Sequence, residues 1–339
     1  MGKLTTLKDI GEFGFIKRFS PQFDELIKHD DYGIGDDCAL LSISDAEYHL
    51  VSTDLLVEDV HFLKNKISPQ ELGHKALAVN LSDIAAMGGK AMYSFLSIAI
   101  PKEIDLSYLD TFMSGYYELS KTHKVALMGG DTTRSQDKLL INVTVIGQCK
   151  KADVHLRSMA KVGDIICTTG TLGDSAAGLK ALLENISSNN DIDALIKRHH
   201  TPQPRLNEGL FLSSQNGVNA MMDISDGVAS DLKHILKASN IAANIYTEKL
   251  PISSLLKKVA TENNWNTDML TASGGEDYEL LLTIDKNQFK KIDSDYFNHF
   301  GNHLYPIGEI TEGESEITWY KNDKIIDFNS QGFNHFSKD

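Results

Sequence analysis

Apolar runs short enough to be strands recur along this chain, and several of them end in carboxylates, hydroxyls or paired glycines. Leu50 leads into Ser52, Thr53 and Asp54, Met128 into Gly129, Gly130 and Asp131, and Met222 into Asp223, Ser225 and Asp226. Strand ends are where α/β proteins hold ligands, so the pattern limits the fold and the place of its site together. The strand-like runs are Leu50 to Val57, Met92 to Ile100, Val125 to Met128, Leu139 to Ile146, Asp164 to Thr168, Asn219 to Met222, Tyr278 to Ile284 and Leu304 to Ile307. Helical spacing lies between them at Pro69 to Met87, Leu106 to His123, Ser175 to Glu184, Gly227 to Ser239 and Ile252 to Asn263. The fold class is therefore α/β (α+β). With 339 residues the chain has room for about two domains. The polar stretch Cys149 to Val154 marks the junction, and Ser187 to Asp193 reads as a surface loop.

One helix start is strongly marked. Ser68, Pro69 and Glu71 supply an N-cap, a first-position proline and a capping-box acid. Leu72, Ala76, Val79 and Met87 then fall on one face, with Asp83 in the middle of it. A carboxylate on an apolar face is costly without a partner. Hydrogen bonds from a neighbouring segment would offset that cost, and so would a metal ion.

Other acidic clusters carry the same two readings. Gly33-Ile34-Gly35-Asp36-Asp37 is either an ordinary turn or a flexible pair of ligands. Asp223 and Asp226 either cap the following helix, Asp226 being the better cap, or bind a cation. Taken together, these Asp, Ser and Thr oxygens suit Mg²⁺, which takes a few carboxylates and completes its shell with water and phosphate. Zinc spacings such as H-E-x-x-H are absent. Carboxylates and polyphosphates repel one another, so a site rich in both forms around cations, which points to nucleotide chemistry. Thr169 to Ser175 (TGTLGDS) joins a strand to a helix and is either an anion cradle or a capped tight connection. Ser273 to Tyr278 (SGGEDY) is a turn whose acids are either substrate ligands or exposed turn residues. There is no Walker or dinucleotide glycine pattern and no serine-hydrolase elbow.

Charge narrows the partners. Asp and Glu number 47 against 33 Lys and Arg, a net −14 that argues against nucleic acid or an anionic membrane surface. No apolar run reaches the length of a membrane span. Cys38, Cys149 and Cys167 lie far apart with no metal or disulfide spacing, and a cytoplasmic location is expected.

A series of segments carries a resemblance. GEFGFI at Gly11 to Ile16, GIGDDCA at Gly33 to Ala39, STD at Ser52 to Asp54, VHF at Val60 to Phe62, KALAVNLSDIAAMG at Lys75 to Gly88, GGDTTRS at Gly129 to Ser135, TGTLGDSAAGL at Thr169 to Leu179, KRH at Lys197 to His199, MDISDG at Met222 to Gly227 and SGGEDYEL at Ser273 to Leu280 resemble, in order, the motifs of the thiamine-monophosphate kinase family. That family shares a superfamily with aminoimidazole-ribonucleotide synthetase and selenophosphate synthetase. The resemblance implies a two-domain aminoimidazole-ribonucleotide-synthetase-like fold. Residues 1–150 would bind ATP and Mg²⁺ and dimerise through their β-sheet. Residues 151–312 would form a C-terminal α/β domain, and the tail 313–339 would contribute to the substrate pocket.

The implied reaction is transfer of the ATP γ-phosphoryl group to thiamine monophosphate by a homodimer. The residues implied as metal ligands are Asp37, Ser52, Thr53, Asp54, Asp83, Asp131, Asp223 and Asp226. ATP contacts would come from Gly130, Asp131, Arg157 and Ser225, and substrate contacts from His61, Glu276 and Phe333. Met113 stands where some members carry a nucleotide-contacting tyrosine. An anionic phosphate acceptor needs no general base, so direct in-line transfer is expected. Another ATP-dependent enzyme of the superfamily, a ligase or a selenophosphate-synthetase-like protein, is the alternative.

Overall fold

The computed structural model describes residues 6–328. Its first part contains α1 (Leu7–Phe19), α2 (Pro21–Asp24), β1 (Ala39–Ser42), β2 (Glu47–Val57), α3 (Pro69–Ala86), β3 (Lys90–Ile100), α4 (Leu106–His123), β4 (Ala126–Arg134) and β5 (Leu140–Lys150). These strands form a sheet in the order β1-β2-β5-β3-β4, antiparallel except for β3 beside β4. The second part contains β6 (Ile165–Thr168), α5 (Asp174–Leu183), α6 (Asn190–His200), α7 (Leu206–Ser213), β7 (Val218–Asp223), α8 (Val228–Ser239), β8 (Ala242–Tyr246), α9 (Ser254–Glu262), α10 (Thr267–Ser273), β9 (Leu280–Ile284), α11 (Phe289–Phe300), β10 (Tyr305–Thr311), β11 (Ile317–Lys321) and β12 (Lys324–Ile326). Its sheet has the order β12-β11-β8-β10-β6-β9-β7.

The helix with the marked start forms as its caps dictate. Glu71 N–H donates to Ser68 Oγ at 3.3 Å, and Ser68 N–H donates to Glu71 Oε2 at 3.0 Å. The expectation of a single apolar face is corrected, because α3 is buried on all sides, Leu77, Leu81 and Ile84 included. It packs against β2 and β5 on one side and against α7 and β7 on the other. One apolar core accordingly runs from Leu50 and Val143 of the first sheet through Leu81 to Met221 and Leu282 of the second. The Ser187 to Asp193 expectation is corrected too: Asn189 caps α6 by accepting from the Asp191 and Ile192 amides at 2.9 and 3.0 Å. A polar first helical turn looks like a loop when only composition is visible.

The first sheet has a covered face and an open one. Leu50, Leu56, Ile141 and Val143 face α3 and are buried. The opposite face carries Leu41, Leu55, Tyr93 and Phe95, all exposed, and every residue of the edge strand β4 is exposed. Among the described residues no helix is long and apolar enough to cross a membrane.

Two glycines set the distance between α3 and α4. A Cβ on Gly73 would stand 1.9 Å from the Phe112 carbonyl oxygen, and one on Gly115 would stand 1.8 Å from the Gln70 carbonyl oxygen. Gly115→Ala should therefore separate the helices and lower stability by about 1–3 kcal/mol, read from chemical denaturation. An unchanged midpoint would contradict the close approach.

Candidate active site

Strand alternation sends Ser52 and Asp54 of β2 toward α3 and Thr53 away from it. From the other side α3 presents Asp83, β7 ends at Asp223, and the turn before β1 brings Asp37. One carboxylate oxygen from each of Asp37, Asp83 and Asp223 lies within 4.8 Å of the others. Hydroxyls support the group: Ser52 donates to Asp83 Oδ2, and Ser82 donates to Asp223 Oδ2 at 2.6 Å. Arg157 supplies the counter-charge. Its Nη2 donates to Asp37 Oδ1 at 2.6 Å, and its backbone N–H donates to Asp36 Oδ1 at 3.0 Å.

Burial dominates the electrostatics. Burial, then the charge of Asp37, pushes Asp223 up to about 8. The same two causes raise Asp54 to about 6, while burial followed by Asp54 and Asp223 raises Asp83 well above the usual range. Burial raises Asp37 as well, although Arg157 opposes it. Asp37 Oδ2 is buried with no hydrogen-bond partner. An orphaned carboxylate oxygen beside two other carboxylates fits a hard divalent cation, and the all-oxygen donor set suits Mg²⁺.

Asp83 and Asp223 of the cluster line a cavity of about 830 Å³ together with Asp54, His61, Ser225, Asp226 and Glu276, and Asp37 stands behind them. His61 Nδ1 accepts from the Val57 amide at 3.0 Å. At another wall the wholly buried Lys75 donates to Glu276 Oε2 at 2.9 Å, and His199 Nδ1 lies 3.0 Å from the same oxygen. Sequence reasoning missed Lys75 and His199 as site residues, although both stand in segments that carry the resemblance.

Three expected residues lie elsewhere. Thr53 bonds to Thr144 Oγ1 at 3.0 Å on the open face of the sheet, so its hydroxyl does not reach the cluster. Gly130 and Asp131 do not follow β4 as expected but lie inside it. Asp131 registers with Ser97, which registers with Asn142 of β5, and that row belongs to the open face. Asp131 is also three strands from Asp54, about 14 Å across the sheet. Phe333 lies outside the described residues, and Met113 of α4 packs against the core and is not among the cavity's lining residues.

The glycine-rich start of α5 is not open to phosphate. Asp277 accepts from the Gly173 amide at 2.6 Å and from the Ser175 amide at 3.2 Å, so the chain's own carboxylate occupies the positive end of the helix. The two acids of SGGEDY thus divide: Glu276 faces the cavity and Asp277 caps a helix.

Comparisons with known proteins agree with this architecture. The AIR synthase related protein N-terminal domain matches residues 35–149, and the corresponding C-terminal domain matches residues 161–321. A thiamine-monophosphate kinase of Buchnera aphidicola (subsp. Acyrthosiphon pisum) is 41% identical over 96% of this chain and 98% of its own. That of Bacillus subtilis is 38% identical over 96% of this chain and 99% of its own. A solved structure described as AaThiL complexed with AMPPCP and TMP superposes with a TM-score of 0.85 at 32% identity, covering 98% of this chain and all of that one. The fold is the two-domain AIR synthase related architecture. Within that class the chain belongs to the thiamine-monophosphate kinase family.

The raised carboxyls make a pH prediction. A carboxyl whose folded pKa is raised binds its proton more tightly in the folded state, so its contribution to stability is lost as pH rises from the unfolded value, about 4, through the folded one. Metal-free protein should therefore melt lower at pH 8.5 than at pH 6. Mg²⁺ should raise the melting temperature more at pH 8.5, because binding releases protons. Calorimetry at both pH values checks this. An Mg²⁺ effect of equal size at both would count against the cluster as the binding site.

Proposed function

We propose that the chain transfers the γ-phosphoryl group of ATP to the phosphate of thiamine monophosphate, giving thiamine diphosphate and ADP, with Mg²⁺ at the carboxylate cluster. The observation that carries the chemistry is the trio Asp37, Asp83 and Asp223, with the orphaned Asp37 oxygen, two of whose members line the large cavity. Bound divalent cations would screen the mutual repulsion of donor and acceptor phosphates. An acceptor oxygen of thiamine monophosphate attacks the γ-phosphorus in line, the bond to the β-phosphate oxygen breaks, and ADP leaves. The acceptor oxygen is already anionic, so no side chain has to remove a proton from it.

In this reading Asp37, Ser52, Asp54, Asp83, Asp223 and Asp226 hold the metals, with Ser52 acting through its hydroxyl. Arg157 and Ser225 face the nucleotide, while His61 and Glu276 face the thiamine moiety. The first domain takes the extent 1–150; the second, expected over 151–312, runs on through β11 and β12, which belong to its sheet, so the tail that contributes to the substrate pocket follows them. The three cysteines are free and buried, which suits the cytoplasm.

We also infer a homodimer. An exposed edge strand of nine residues beside an open face bearing Leu55, Tyr93 and Phe95 is an aggregation hazard unless a partner covers it. A second copy seated there would let Gly130 and Asp131, remote from their own cluster, serve the site of the other protomer.

Incubation with ATP, Mg²⁺ and thiamine monophosphate should yield thiamine diphosphate and ADP in equal amounts. ADP release only with other acceptors would overturn the reading. Asp83→Asn and Asp223→Asn should each lower kcat at least a hundredfold while retaining a cooperative unfolding transition. Phe95→Glu should shift the protein toward monomer in sedimentation and reduce turnover with it. A fully active monomer would refute the contribution of Asp131 in trans.

A further inference from the structure

Among the described residues Lys75 is the one lysine that ranks with the largest fully buried side chains, and a buried ammonium needs a defined reason to be there. Its ion-pair partner is Glu276, whose side chain remains 25% accessible. Both neighbours, Lys75 Nζ at 2.9 Å and His199 Nδ1 at 3.0 Å, take the same oxygen, Oε2. The accessible part of Glu276 opens on the cavity, so Oε1 is the oxygen left to a ligand.

The backbone holds this orientation as well. Glu276 adopts a left-handed φ of +63, costly for a residue with a side chain. Its amide donates to the Ser225 carbonyl at 2.7 Å, and the Tyr278 amide donates to the Ile224 carbonyl at 3.0 Å, which pins the turn to the loop after β7. His199 is fixed in turn by Ser175 Oγ, 3.1 Å from its Nδ1. Burial alone would raise the Glu276 pKa, but Lys75 and His199 hold it well below the usual carboxylate range, so the acceptor stays ionised at every working pH.

The position along α3 gives the arrangement a scale. Lys75, Val79 and Asp83 lie on successive turns of one helix face, and all three line the cavity. Eight residues of helix separate the backbone positions of Lys75 and Asp83 by about 12 Å along the axis. One helix therefore fixes the phosphate end of the site and the opposite end together.

We propose that Lys75, seconded by His199, is a positioning residue that locks Glu276 with Oε1 toward the cavity, as the acceptor for an N–H of the amino-bearing heteroaromatic ring of the phosphate acceptor. This rests on the functional reading above and extends it: Lys75 acts on recognition of the organic part of the substrate, not on phosphoryl transfer. Lys75→Met keeps length and removes the ammonium. It should raise KM for thiamine monophosphate at least tenfold while KM for ATP stays within twofold and kcat within threefold. A purely structural role would move all three together.

The pair must also be coupled. Lys75→Met added to Glu276→Gln should cost less than a further twofold in kcat/KM for thiamine monophosphate, because the residue it orients has already lost its charge. An unchanged KM in Lys75→Met, or independent effects that multiply in the double variant, would overturn the proposal. Should Lys75→Met not fold, His199→Ala carries the test: KM for thiamine monophosphate should rise at least threefold with KM for ATP unchanged, and no rise overturns it. Wild-type enzyme that forms no thiamine diphosphate would defeat the functional reading itself, whereas product formation with unaltered KM in the variants would defeat only the role of Lys75.

Discussion

Several carboxylates are held where water cannot screen them, and the rest of the structure answers to that. Asp37, Asp83 and Asp223 bring oxygens within 4.8 Å of each other. Two unit charges at about 4 Å repel by about 4 kcal/mol at an effective dielectric of 20. Such a cluster persists because Arg157 neutralises one member, Ser52 and Ser82 donate to the others, and burial raises the pKa values of its members. The site is thus a store of electrostatic strain, and the divalent metal proposed there would relieve it.

Holding that strain requires rigid elements, and α3 is the central one. It is buried between the two sheets, fixed at its start by a capping box and pressed against α4 through Gly73 and Gly115. Its inner face carries Asp83 toward the carboxylate cluster and Lys75 toward Glu276, so one element sets both ends of the cavity. The first sheet contributes by alternation alone: Ser52 and Asp54 enter the site because they share a face, and Thr53 leaves it for the same reason.

Much of this was legible in the sequence. The cap at Ser68, the helical spacing after it and the awkward place of Asp83 are local facts, and α3 carries them as expected. Each strand-like run became a strand, because short apolar runs bounded by turn residues have few other stable states. The short strands β1, β8, β11 and β12 were not legible: a few residues acquire strand geometry from their sheet neighbours more than from their own composition. The segment Gly129 to Thr133 looked like a strand end but continues β4, since its glycines pair with β3 as any strand residue does. The acids of SGGEDY could not be told apart in sequence, because which one meets a helix N-terminus and which a lysine depends on segments far from them.

The sequence by itself determined the inventory: oxygen-rich clusters at strand ends, the order of the motifs, the α/β character and the absence of zinc, Walker or hydrolase patterns. Local propensity and residue chemistry suffice for those. Only the tertiary structure decided which carboxylates share a site, that Asp131 stands apart from them on an open sheet face, that Asp277 closes the helix end that looked ready for phosphate, and that a buried lysine pairs with Glu276. Those outcomes depend on sheet register and on contacts between residues a hundred or more positions apart, where burial and the sign of neighbouring charges are set by the packing of the whole chain.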